Sequence, residues 1–240
     1  MVIGFESPDL ARFVSALCLG GSHHVSVNAT CALRVVSAIV PAHVVRSGEP
    51  LAGDFDIEQE ARSIPSSYVV KGMFFNRLVE LVGSGWDSVK STLVDPPRGG
   101  RYVAFRDYPQ ADYMRLSGAA ARKRHFNVSL REGIRRLARD DFEVFSSSTF
   151  GRVIMAVVGD ARSALHRVPY VYSKLAVGDY DIRVDDLDAR TVRIEFAPLY
   201  GRWEYTVGQF EGIVHHFGYQ PTTRVEELPA LRLRFDIVHI

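Results

Sequence analysis

The sequence predicts an α+β protein, with a helical N-terminal and central part followed by a C-terminal antiparallel sheet of order β-β-α-β covered by helices. Three observations point there. Ile182 and Val184, then Val192, Ile194 and Phe196, then Leu231, Leu233, Phe235 and Ile237 alternate with polar or charged neighbours. That period of two marks strands with one buried and one wet face. Between the second and third runs, Val207, Phe210, Val214 and Phe217 recur at helical spacing, which lays one helix on the sheet. Upstream, helical segments dominate and strands are scattered, so no repeating βαβ pattern supports a Rossmann or TIM-barrel architecture.

From the N-terminus, Ser7-Pro8-Asp9 opens a helix with a hydroxyl N-cap, a proline at the first helical position and a carboxylate in the first turn. Gly20-Gly21 stops it after Leu19. Val25, Val27 and Ala29 alternate with polar residues, and the valine-rich stretch 33–45 is broken by Pro41, which reads as one or two strands. Gly48, Pro50 and Gly53 then mark a boundary between an N-terminal extension, 1–50, and a main α+β domain, 51–240.

Within the main domain a short acidic helix spans 54–62, and Tyr68 to Val70 is a short β-like run. Met73 to Val82 is an apolar helix ending at Gly83, and 86–93 is a short helix stopped by Asp95-Pro96-Pro97. Tyr102, Phe105, Tyr108 and Tyr113 lead into a helix through Arg122. Ser129 with Glu132 is a capping box opening a helix over 130–139. Residues 142–158 read as one long helix with a central Gly151, and 161–173 as a further helix delivering the chain to the sheet.

Apolar residues at 47% and charged residues at 24% are proportions of an ordinary globular domain that can bury a core. A net charge of +1 provides no field for nucleic acid or an anionic membrane, and neither is expected as a partner. No apolar run approaches the roughly 18 residues of a membrane span. The stretch 11–19 is short, interrupted by Arg12 and Ser15, and lacks a basic segment before it, so no targeting peptide is expected. Cys18 and Cys31 are too few for a disulfide framework and fit a reducing cytoplasm, the expected compartment.

Several clusters bear on chemistry. Arg122-Lys123-Arg124-His125 with Arg131, Arg135, Arg136 and Arg139 reads either as an anion site, since guanidinium forks grip phosphates, or as a solvated, ion-paired helix face. Asp140, Asp141 and Glu143 follow at once and favour the second reading. The pairs His23-His24 and His215-His216 are adjacent in sequence, unlike the spacing of three or four that lets a helix chelate one metal. The run Ser146-Ser147-Ser148-Thr149 reads as capping and packing, and Asp185, Asp186 and Asp188 as turn residues. No catalytic dyad or metal centre emerges. Gly208 and Gly212 are more telling. Four apart on a helix, each costs about 1 kcal/mol relative to alanine. Close approach of the sheet, a ligand or a partner must compensate.

Val70-Lys71-Gly72-Met73-Phe74-Phe75, Tyr113-Met114-Arg115-Leu116, the segment from Ser129 to Arg139, Phe150-Gly151-Arg152 and Gly208…Glu211-Gly212 with a closing strand resemble a paralogous family of domains of unknown function found mainly in myxobacteria. That resemblance covers about 61–240. The terminal unit resembles more weakly the vinyl-reductase-type domains related to haem–nitric oxide sensors and trafficking-complex subunits. That resemblance implies a helix-plus-twisted-sheet fold that binds small hydrophobic ligands or dimerises. His215 or His216 would be the histidine for a haem, but Tyr170-Val171-Tyr172-Ser173-Lys174 only echoes the Tyr-x-Ser-x-Arg propionate motif. The cofactor is therefore left open, and the resemblance brings no catalytic residues.

Together these features lead to the expectation of a non-enzymatic regulatory domain that holds a small apolar ligand between helices and C-terminal sheet. Phe210, Phe217 and Tyr170 are its aromatic lining, Arg152 its polar anchor, and Gly208 and Gly212 its close-approach wall. The alternative is a protein-interaction or dimerisation module without ligand. It would present the two glycines to a partner or a second copy, with the segment around 25–45 pairing with a sheet edge.

Overall fold

A computed structural model describes residues 42–239. The expected helix over 8–19 and the alternation at 25–29 lie outside the described residues, as do Cys18, Cys31, His23 and His24. The described chain runs β1 (Ala42–Arg46), α1 (Ile57–Ser63), β2 (Val69–Lys71), α2 (Met73–Val82), α3 (Trp86–Lys90), β3 (Asp107–Pro109), α4 (Gln110–Arg124), α5 (Leu130–Ser147), α6 (Thr149–Ala156), α7 (Ala161–His166), α8 (Val168–Leu175), β4 (Ala176–Val177), β5 (Asp181–Asp186), β6 (Thr191–Ala197), α9 (Trp203–His216), β7 (Pro221–Leu228) and β8 (Arg232–His239). The architecture is α+β, with helices leading into a five-stranded antiparallel sheet of order β1-β7-β8-β6-β5. A smaller sheet, β3-β2-β4, sits among the helices' connections.

The alternation read from sequence becomes a two-faced sheet. Val225, Phe235, Ile194 and Val184 stand in one row across four strands, and Val225, Phe235 and Ile194 are completely buried. On the opposite face charges pair across the same strands. Arg193 grips Asp236 through two bonds of 2.7 and 2.8 Å, and Arg234 bridges Glu195 and Glu226. Cross-strand pairs of this kind hold the register.

Four differences from the sequence reading have local causes. The helix opened by Ser129 does not stop at Arg139 but runs on to Ser147. The expected single helix over 142–158 instead breaks at Ser148, whose extended backbone and hydroxyl, accepting from Gly151 N at 3.0 Å, start α6. A Cβ at position 151 would lie 1.8 Å from the Phe145 carbonyl oxygen, so the turn demands glycine. The helix expected over 161–173 is two helices divided at Arg167, with Pro169 in the first turn of α8. Finally, β7 is a strand the alternation did not reveal, because its inward positions are Pro221, Thr223 and Val225.

Strand β1 lies on the N-terminal side of the expected boundary at residue 50. It pairs with β7 from Ala42↔Glu226 to Arg46↔Thr222. The residues after it are tied down by Arg135 on α5, which donates to the carbonyls of Arg46 and Glu49.

The apolar interior forms two clusters. One lies between the large sheet and α7, α8 and α9, around Phe196, Phe210 and Phe235. The other lies among α1, α2, α4 and α5, around Phe75, Leu78 and Leu116. Helices α5 and α9 cross between them, and their closeness is set by Gly208 and Gly212. Cβ atoms there would lie 2.1 Å from Arg135 O and 2.7 Å from Arg139 O. The glycine side of α9 therefore faces α5, not the sheet.

Candidate ligand-binding cavity

Helices α4, α5, α8 and α9, with single residues or pairs from α2, α6 and α7, converge on a partly open cavity of about 170 Å³. Each of the first four lends one stripe of its surface. Gln110, Tyr113, Met114 and Ser117 are spaced by three, one and three residues on α4, so they share a face and line one wall. Helix α5 turns Ile134, Asp141 and Phe145 toward the same space by the same periodicity, and α8 and α9 contribute stripes over 168–175 and 205–213. The wall is mainly aliphatic and aromatic.

Its polar features are few and mutually satisfied. Tyr113 and Tyr205 both donate to Asp141 Oδ2 at 2.7 Å, and their own oxygens are 2.7 Å apart. Arg77 on α2 approaches Asp141 Oδ1 at 3.7 Å and also holds Asp140, donating to its backbone carbonyl at 2.5 Å. Burial pushes the Asp141 carboxyl up to about 6, while the two phenols and Arg77 pull in the opposite direction. Burial and the neighbouring Asp141 charge raise both phenols well above their ordinary value. Elsewhere in the wall Tyr172 donates to Gln209 at 2.7 Å and Tyr180 to Gln110 at 2.5 Å. Arg202 is neutralised by Glu204 at 2.8 Å and Glu60 at 3.0 Å. Ser117 stands apart, because it is 2% exposed and its hydroxyl has no hydrogen-bond partner within 3.5 Å among the described residues, the Tyr113 phenol being the polar group beside it.

Of the six residues expected to form the site, Phe210 lines the cavity and is buried. Gly208 and Gly212 are occupied by the backbone of α5. Tyr170 is 47% exposed, with Lys174 over its ring, and Arg152 is exposed on α6. Phe217 packs at the far end of α9 beside His216. The polar centre of the cavity, Tyr113, Asp141, Tyr205 and Ser117, was not foreseen. Separations of 28 and 92 residues from Tyr113 to its partners leave no local pattern to find.

Three arginines of the basic stretch are committed within the fold. Arg131 pairs with Glu204, Arg136 with Glu132, and Arg135 is buried between Glu132 and Glu211. Among the described residues no group of three or more metal-binding side chains occurs, and no helix is long and apolar enough to cross a membrane.

About 70% of the chain is similar in fold to H-NOX, the haem–nitric oxide/oxygen binding domains. An Fe(II) unliganded H-NOX protein from K. algicida is 17% identical, with a TM-score of 0.54 over 71% of this chain and 96% of its own. An H-NOX protein from S. oneidensis in the Fe(II)NO state is 15% identical, with a TM-score of 0.57 over 71% of this chain and 99% of its own. An oxygen-binding H-NOX domain related to soluble guanylate cyclases is 14% identical, with a TM-score of 0.53 over 70% and 92%. At such identities the likeness is one of fold.

The residues present do not fit a histidine-ligated haem. Among the described residues, none that lines the cavity is a histidine. His215 bonds to Ser47 at 2.9 Å, and His216 meets Phe142 and Phe217 edge to face. The phenols of Tyr113, Tyr205, Tyr172 and Tyr180 are already engaged. A volume of about 170 Å³ is close to the ~150 Å³ that holds one benzene ring, whereas a porphyrin carries four pyrrole rings around its metal.

Among curated proteins no significant sequence match is found. The model of a family described as a protein of unknown function, DUF2378, matches residues 64–238, and the chain belongs to that family.

Proposed function

We propose that this protein is a non-enzymatic sensory or regulatory domain that binds a small, mostly apolar molecule in the cavity between its helices and the C-terminal sheet unit. The observation that carries this reading is the cavity itself. It is a partly open space walled chiefly by α4, α5, α8 and α9, with one small polar cluster where the two apolar clusters meet. Apolar concavities with a few fixed polar groups are the usual form of a small-molecule site. The H-NOX-like fold adds support by analogy, since structures of that fold include nitric oxide and oxygen complexes.

Binding at this place suits a sensor. A guest there touches α4, α5, α8 and α9 at once, so its presence alters how the helical part packs on the helix that covers the sheet. The alternative of an interaction module needs a surface other than the glycine face of α9, which α5 covers.

Native mass spectrometry of the full chain purified from its own host tests the proposal. A retained small molecule, released on denaturation and raising the melting temperature when added back, is the expected result. A bare polypeptide mass, with no melting shift across a panel of small apolar compounds, would overturn it.

A further inference from the structure

We propose that the ligand is a small neutral molecule with an apolar body about the size of one aromatic ring and a single hydroxyl, which docks among Ser117, Tyr113 and Tyr205. This rests on the cavity-binding reading above and narrows its ligand to a chemical class.

Size comes first. A cavity of about 170 Å³ exceeds only slightly the ~150 Å³ apolar cavity that accepts benzene, so the body is one ring or a short branched chain. Apolar walls make that body hydrocarbon-like.

The polar pole then selects the head group. Ser117 and Tyr113 are four residues apart on α4, so their side chains are neighbours on the face that lines the cavity. Among the described residues the buried serine hydroxyl has no hydrogen-bond partner within 3.5 Å and only the Tyr113 phenol beside it, a costly state that a hydrogen bond from a guest relieves. Each phenol has spent its proton within the Asp141 cluster but keeps lone-pair capacity. The open positions therefore accept a proton at the phenols and either give or accept one at Ser117. A hydroxyl satisfies both demands with one atom, whereas a carbonyl can only accept.

Charged heads fit less well. Asp141 Oδ2 already accepts from two phenols, so an ammonium finds no uncommitted carboxylate oxygen there. A carboxylate would be buried beside Asp141. Arg202, a cation of the wall, is held by Glu204 and Glu60, and Arg167 is exposed to solvent.

NMR titration of the full chain with para-cresol, toluene, para-toluate and para-methylbenzylammonium tests this. Para-cresol is expected to bind about tenfold more tightly than toluene, the worth of one well-made hydrogen bond. Both ions are expected to bind more weakly than para-cresol. Ser117→Ala is expected to bring para-cresol close to toluene while leaving toluene unchanged. Equal binding of toluene and para-cresol by the unaltered protein, or tighter binding of either ion, overturns the hydroxyl assignment while the cavity reading stands. No binding by any of the four overturns both. The comparison within the unaltered protein does not depend on how the variant folds.

Discussion

The guanidinium of Arg135 and the carboxylate of Glu211 form an ion pair with both side chains almost completely buried, at 2.9 Å from Nη2 to Oε1 and 3.0 Å from Nε to Oε2. It joins α5 to α9, and the remaining Arg135 donors reach Glu132 and the carbonyls of Arg46 and Glu49. One side chain thus ties both central helices to the segment that leads from the edge strand. Removing one partner of such a pair strands a buried charge. Glu211→Ala is expected to lower unfolding free energy by about 3–5 kcal/mol in chemical denaturation. Arg135→Met combined with Glu211→Leu is expected to recover most of that loss. A double variant no more stable than the single one would mean the pair contributes more than its burial costs.

Gly208 lets α9 approach α5 closely. Alanine gains about 1 kcal/mol in helix propensity, but its Cβ would meet the Arg135 carbonyl oxygen at 2.1 Å and that backbone cannot yield. Gly208→Ala is expected to cost about 1–3 kcal/mol net, typical of overpacking. A stabilised variant in thermal melts would show that the helices stand further apart than described.

Asp141 is faced by Tyr113 from α4, Tyr205 from α9, Arg77 from α2 and its own neighbour Asp140. Its folded value of about 6 lies above the ordinary 3.8 because burial disfavours the charge. The folded state therefore holds a proton the unfolded chain has lost, and the stability from this group, complete below pH ~4, falls as pH rises to ~6. Asp141→Asn is expected to lack that fall. Relative to the unaltered protein it should gain up to about 3 kcal/mol between those limits, following 1.36 kcal/mol per pH step. Parallel stability profiles from acid to neutral pH would contradict this.

Haem makes a separate prediction, because no histidine among the described residues lines the cavity. Titrating the full chain with ferric haem, then reducing it, is expected to produce no stoichiometric complex with a histidine-ligated spectrum. A complex that His215→Ala or His216→Ala abolishes would contradict the described placement of these side chains.

The fold was legible wherever one residue face met water. Strands β5, β6 and β8 announce themselves by alternation: on β6 and β8, Arg193 pairs with Asp236 and Arg234 with Glu195 on the outer surface, between buried Ile194, Phe235 and Ile237. Helix α2 was readable to the residue, since Gly83 with φ of +55° ends it. Strand β7 was silent because its inward positions include proline and threonine. The site was legible only in part. Phe210 sits on a visible stripe, and the two glycines did signal a close approach, though not that α5 makes it. Asp141 lay hidden in an acidic run with Asp140 and Glu143, and only tertiary packing brings it to Tyr113 and Tyr205.

A crystal structure determined under xenon pressure addresses the cavity most directly, since xenon enters dry apolar spaces of this size. Xenon density between Phe145, Val168 and Phe210 is the expected result. An interior closed over that position, with side chains filling it and no xenon bound, would contradict the ligand-binding reading.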